Sequence, residues 1–229
     1  MNFFLEGMRQ GLRLLAAGNA EVWGAVRISV QVALISTCIA SVLGLPLGFL
    51  VATRRFVGKR AAVVVLNTLM GLPTVVVGLL VYGMLSRRGP LGDLGLLYTP
   101  AAMVIGQVIL ATPIVAALTC GAASGLDTRV LKTAYALGAG TWYAALTAAR
   151  ELRPGLSAAV VAGFGRVFAE VGVSLMLGGN IRFYTRNITT TIALETSKGE
   201  FALGLALGLV LLVVAFVVNL SFHLLKGSA

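Results

Sequence analysis

The chain has 229 residues, is 58% hydrophobic and 11% charged, and has a mean hydropathy of +0.96. Soluble domains carry about 25% charge, so a soluble globular domain is excluded, and at roughly 20 apolar residues per crossing the length suits one membrane domain of about five helices. The net charge of +10 does not point to nucleic acid: many bases sit in short loops beside apolar runs, where they set topology or meet anionic headgroups, and aromatics interleaved with bases are sparse.

Residues 1–21 place Phe3, Phe4, Leu5, Met8, Leu12 and Leu15 at helical spacing, with Glu6, Arg9 and Arg13 between them. That pattern predicts an amphipathic helix lying at the membrane interface. Arg9 and Arg13 interrupt any clean apolar core, so no cleavable signal peptide is read. The first span is predicted over about residues 26–52; it contains Gly44-Leu-Pro-Leu-Gly48 and leads into a basic turn with Arg54, Arg55, Lys59 and Arg60. The second, about 61–85, contains Gly71-Leu-Pro73, and the third, about 100–123, contains Thr112-Pro113. Mid-span prolines free carbonyls that neighbours must satisfy. Cys38 and Cys120 both lie in apolar runs and read as small buried hydrophobes.

Residues 124–154 are more polar but keep Leu131, Tyr135, Leu137, Trp142 and Leu146 at helical spacing. They predict two short amphipathic helices outside the bilayer, hinged at Gly138-Ala-Gly140. Asp127 and Thr128 supply the first with N-cap chemistry. A fourth span over about 156–177 carries Arg166 and Glu170. A polar loop is predicted over 178–200, then a fifth span over about 201–225.

No G-x-x-x-x-G-K-[ST] loop, H-E-x-x-H pair or Cys/His cluster occurs, and the single histidine, His223, reads as an interfacial residue. The chain therefore lacks the means to cradle nucleotide phosphates in the P-loop manner, no metal site or cofactor is expected in it, and energy for transport must come from another chain or an ion gradient. Placing the 124–154 loop in the cytoplasm puts the C-terminus inside and the N-terminus outside. The bases then divide almost evenly between the two sides, so charge does not decide orientation, and the outer side is unusually basic.

The stretch Lys132-Thr133-Ala134-Tyr135-Ala136-Leu137-Gly138-Ala139-Gly140-Thr141-Trp142 resembles the E-A-A-x-x-x-G docking loop of ABC importer permeases. It departs from that pattern at Lys132 and Thr133, and Ala148, Arg150 and Glu151 replace the usual I-x-L-P that follows. The series Gly165-Arg166, Glu170-Val-Gly172, Gly178-Gly-Asn-Ile181, Thr185-Arg186, Thr189-Thr190-Thr191-Ile192 and Lys198-Gly199-Glu200-Phe201 is similar to that of tungstate-type permeases, relatives of the molybdate and sulfate permeases. The resemblance covers nearly the whole chain. It implies an all-α type I ABC importer permease in a bacterial or archaeal plasma membrane, working as a homodimer. Two cytoplasmic ATPase subunits would consume ATP and Mg, and an extracytoplasmic protein would deliver the oxyanion.

The residues themselves fit such a task. Lys132, Thr133, Ala134, Leu137, Gly138, Ala139 and Trp142 are the candidate ATPase-docking set, because a glycine hinge lets two apolar faces seat in a partner's groove. Arg166 and Glu170 form an i,i+4 pair within a span, and with Gly172 they are either a pore gate or a static packing pair. Gly178, Gly179, Asn180, Arg182, Thr185, Arg186, Thr189 and Thr190 are candidates for an oxyanion path or outer gate: glycines expose N–H groups, hydroxyls donate, and bases focus an anion. Tungstate is the first expectation, with molybdate or sulfate next. The rival from another class is an ATP-independent anion channel or gradient-driven carrier. A membrane enzyme lacks a catalytic constellation.

Overall fold

The computed structural model describes residues 16–227 together with Arg9 and Arg13. The interfacial helix expected over 1–21 falls largely outside these residues; Arg9 and Arg13 are helical and exposed. Among the described residues there are ten α-helices, one short 3-10 turn at Gly92–Leu94, and no strand.

Helix α1 (Ala20–Thr53) starts at Asn19, whose side-chain oxygen accepts from the Glu21 N–H at 2.9 Å. At 1.5 Å per residue its 34 residues reach about 51 Å, beyond the hydrocarbon thickness. The second expected span is instead two helices, α2 (Lys59–Met70) and α3 (Thr74–Leu85), bent by 94° at Gly71-Leu-Pro73. Pro73 has no N–H to continue α2, and its extended backbone restarts the chain in a new direction. Helix α4 (Pro100–Ser124) is the most buried span; it packs on α1, α2, α3, the α7 helix (Arg153–Phe168) and the α8 helix (Gly172–Gly178). The glycines of Gly44-Leu-Pro-Leu-Gly48 make the α1–α4 crossing close: a Cβ on Gly44 would stand 2.9 Å from the Val115 Cβ and 3.0 Å from the Thr112 carbonyl oxygen. Without a hydrophobic drive between helices in lipid, such small-residue approach is what packs spans together.

Helices α5 (Thr128–Ala136) and α6 (Thr141–Glu151) form the two-helix loop expected over 124–154. Asp127 caps α5, accepting from the Arg129 N–H at 2.9 Å, and Gly138 turns the chain at φ +84°. The fourth expected span is also broken: α7 and α8 bend by 57° across Ala169-Glu170-Val171. Where a loop was expected over 178–200, residues Ile188–Lys198 form helix α9. Asn187 and Thr190 start it with a reciprocal capping box, and Gly199 at φ +83° ends it. Helix α10 (Phe201–Gly227) closes the fold against α7 and α9. Three of the described helices are thus long and apolar enough to cross a membrane, or up to five segments if each bent pair is one span. Cys120 is buried as expected, but Cys38 lies on an exposed face of α1.

Two cores result. Val22, Ala33, Ala40, Ala111, Phe164, Phe168 and Leu207 join α1, α4, α7 and α10, with the Phe164 and Phe168 rings stacked at 5.3 Å. Val77, Val81, Ala102, Leu110, Val173 and Leu177 join α3, α4 and α8. Helix α8 is wedged into the second core: added Cβ atoms on Gly78 of α3 and Gly106 of α4 would meet the Met176 sulfur at 2.9 Å and Val173 and Leu177 methyls at 2.5 Å.

Candidate functional site

The two helix breaks meet. A Cβ on Gly172, at the start of α8, would lie 3.0 Å from the Thr74 hydroxyl at the start of α3 and 3.3 Å from the Glu170 Oε1. Glu170 is not on the helix face expected for an i,i+4 pair, because α7 ends at Phe168 and Glu170 sits in the link. Its carboxylate still receives Arg166: Nη1 to Oε2 is 3.0 Å. Its other oxygen accepts from the Gly172 N–H at 2.9 Å and the Val173 N–H at 3.3 Å, capping α8. The Thr189 hydroxyl donates to the Glu170 carbonyl oxygen at 2.8 Å, tying α9 to the same break. The Glu170 side chain is 4% exposed and that of Arg166 38%. A buried carboxylate is tolerated in such a place when a cation and N–H donors satisfy it.

A neutral polar chain, not anticipated from the sequence, lies deeper. Gln107 of α4 donates through Nε2 to the Ser174 hydroxyl at 2.9 Å, and the Ser36 hydroxyl of α1 donates to Gln107 Oε1 at 3.4 Å. All three side chains are buried. They tie α8 to two full-length spans, and a lone Gln inside an apolar run was the signal available for finding them.

The outer candidates are brought together, but not as an open path. Thr185, Thr189 and Thr190 are buried. Thr185 donates to the Gly178 carbonyl and accepts from the Ile181 N–H, locking the turn after α8. Thr190 completes the α9 cap. The Gly179 N–H closes α8 onto the Leu175 carbonyl at 3.0 Å rather than standing free. Gly179 takes φ +66° and packs against Tyr98, whose Cδ1 would lie 2.6 Å from an added Cβ. Gly178 leaves similar room for the Met103 sulfur. Asn180 is at φ +52°, and its buried side-chain oxygen has no partner.

The bases there are engaged as well. Arg182 and Arg186 grip the two carboxylate oxygens of Glu21, at 3.0 and 2.8 Å. Arg186 also donates from Nε to the Asn180 carbonyl at 3.3 Å, and Arg182 lies over the Phe183 ring, 5.0 Å from its centroid. Lys198 pairs with the buried Glu195 at 2.8 Å. Glu21 belongs to this cluster although nothing in its local sequence announces it. Tyr82 and Tyr98 share a hydrogen bond of 3.3 Å, which holds the Tyr98 phenol above the ordinary tyrosine range. Tyr98, Asn180 and Phe183 are the non-glycine residues with positive φ among those described, and all three lie at this end. Such strain persists only where the surroundings over-determine it.

At the two-helix loop the docking candidates separate by burial. Ala134 packs inward, while Leu137 and Trp142 stand 83% and 77% exposed, joined by exposed Tyr135 and Tyr143. Lys132, Thr133 and Gly138 are exposed beside them, and Ala139 is half-buried. Helix α6 ends on Leu152, which is also the cap of α7, so no slack separates the loop from the helix carrying Arg166.

Comparison with known proteins adds the following. A family model described as "Binding-protein-dependent transport system inner membrane component" matches residues 44–227. The chain is 39% identical over 226 residues to the tungstate uptake system permease protein TupB of Peptoclostridium acidaminophilum, covering 99% of each chain. It is 40% identical over 228 residues to TupB of Campylobacter jejuni, covering 100% of this chain and 95% of that one. In fold it is similar to a chain of the inward-facing MetNI methionine ABC transporter, with a TM-score of 0.70, 16% identity, and 91% and 94% of the two chains covered.

Proposed function

The chain belongs to the family of binding-protein-dependent transport system inner membrane components, and from that premise we propose that it is the membrane-spanning permease of an ATP-driven importer for tungstate, with molybdate or sulfate as the next candidate cargo. The observation that carries the reading is 39–40% identity, over nearly the whole chain, with tungstate uptake permeases. A soluble protein outside delivers the anion. Two copies of this chain enclose the path, and two cytoplasmic ATPase subunits use ATP and Mg. The N-terminus lies outside and the C-terminus inside.

In this reading the ATPase grips α5 and α6 through Leu137, Trp142 and their neighbours, in the helix-in-groove manner. Because α6 runs into α7 through Leu152, movement of the loop is passed to Arg166 and the break at Glu170, which lies 17 residues after Arg153 at the start of α7. The Glu170 carboxylate holds the break shut as a fixed negative charge, partly neutralised by Arg166. Rotation of α7 against α8 parts the pair, leaves Arg166 free toward the anion, and opens the junction of α3 and α8. At the outer end Arg182 and Arg186, held by Glu21, form the rim of the entrance.

Reconstitution of the purified chain in liposomes without any ATPase tests this against the channel or carrier alternative. No tungstate flux is expected; passive flux that saturates with tungstate would contradict the reading.

A further inference from the structure

The turn between α1 and α2 carries none of the residues assigned above to docking, to the break at Glu170 or to the outer rim. Arg54, Arg55 and Arg60 are exposed there and make no ion pair with any described residue. The turn is closed from within: Gly58 reverses the chain at φ +91°, the Lys59 ammonium donates back to the Ala52 carbonyl, and the Lys59 N–H reaches the Phe56 carbonyl at 3.3 Å. The three guanidinium groups therefore project from a fixed base. Between them Phe56 is half exposed and Val57 entirely so. Beside the turn runs an open groove of about 830 Å³, lined by Phe56, Gly58, Lys59, Arg60, Val63 and Val64. Its far wall is the start of α2, the first half of a bent pair apolar enough to enter the membrane.

We propose that this turn binds one anionic phospholipid, with its phosphate on Arg54, Arg55 and Arg60 and an acyl chain along Val63 and Val64. Guanidinium groups match phosphate oxygens in paired hydrogen bonds. An apolar groove that begins at the bases and continues along a membrane helix fits a lipid better than a soluble anion. Phe56 and Val57 enter the headgroup layer beside it, where an exposed apolar tip is stable. The site pins the α1–α2 turn, and with it the first arm of the 94° bend.

The test uses the permease purified with its ATPase partner, equilibrated with phosphatidylcholine vesicles containing or lacking phosphatidylglycerol, then extracted and examined by native mass spectrometry. Wild type retains one phosphatidylglycerol per chain. The variant Arg54→Gln/Arg55→Gln/Arg60→Gln loses affinity for it by roughly 100-fold, each base contributing a factor of about five. Arg87→Gln/Arg88→Gln, altering two exposed bases after α3, leaves retention unchanged. The all-lysine variant of the three arginines stays within about tenfold of wild type, which separates lost charge from lost fold. Unchanged retention in the glutamine variant, equal loss in the Arg87/Arg88 variant, or loss in the lysine variant equal to that in the glutamine variant would overturn the site. Loss of the ATPase from the glutamine variant with lipid retained would assign the turn to that subunit instead.

Discussion

Arg166 and Glu170 are joined at 3.0 Å across the point where the fourth membrane segment breaks, and the second oxygen of the same carboxylate caps the helix that follows. One side chain thus fixes both the charge balance and the geometry of the break. Glu170→Gln keeps an acceptor for the Gly172 N–H but removes the charge that holds Arg166. Breaking a buried pair costs about 3–5 kcal/mol; because Arg166 is partly exposed, about 1–3 kcal/mol is expected here. If the pair is a gate, the variant reconstituted without ATPase also leaks tungstate; if it is static packing, thermal unfolding shows the loss and no leak appears.

Gly172→Ala inserts a methyl group where the Thr74 hydroxyl and the Glu170 carboxylate already stand at 3.0 and 3.3 Å. Overpacking of this kind costs about 1–3 kcal/mol, and tungstate uptake falls with it. Adding Thr74→Ala removes the nearer obstacle. The double variant recovers at least half of the lost stability, a coupling read from thermal unfolding of the four proteins in one detergent.

Trp142→Ala leaves the permease folded, since its side chain is largely free of its own chain. It lowers co-purification of the ATPase at least ~10-fold, as loss of an aromatic anchor at an interface does. Gly138→Val acts differently. Nothing lies within 4 Å of an added Cβ, but φ +84° does not suit a β-branched residue, and a strain of about 1–2 kcal/mol reshapes the hinge. ATPase binding weakens in both, measured by pull-down from detergent.

Glu21→Gln releases Arg182 and Arg186 together. The cluster is partly exposed, so the cost in stability is modest, about 1 kcal/mol. Its signature is salt dependence: wild type loses stability as ionic strength rises and the variant does not. Glu21→Arg with Arg186→Glu restores part of the loss by reversing the closer ion pair.

What the sequence made legible was local. Asp127 before an apolar-periodic run, Gly138 at the hinge and Pro154 at the head of α7 all act where short-range rules place them. The run from Thr185 to Thr191 reads as donors in a loop, yet Asn187 with Thr190 three residues on is a helix-start signal, and the hydroxyls go to caps and carbonyls. The bends at Gly71-Leu-Pro73 and Ala169-Glu170-Val171 are hinted at by proline and charge. The seating of α8 against Gly78 and Gly106, which accompanies the 94° and 57° bends, is a tertiary fact. Glu21 meets Arg182 and Arg186 across more than 160 positions, beyond any local pattern.

The central claim is tested most directly by tungstate uptake into proteoliposomes holding this permease with its ATPase, and with the cognate binding protein added outside. Accumulation that requires ATP and the binding protein, and that is abolished when the ATPase is omitted, is the predicted result. Uptake that proceeds equally without ATP, or ATP-driven accumulation of another solute with tungstate excluded, would contradict it.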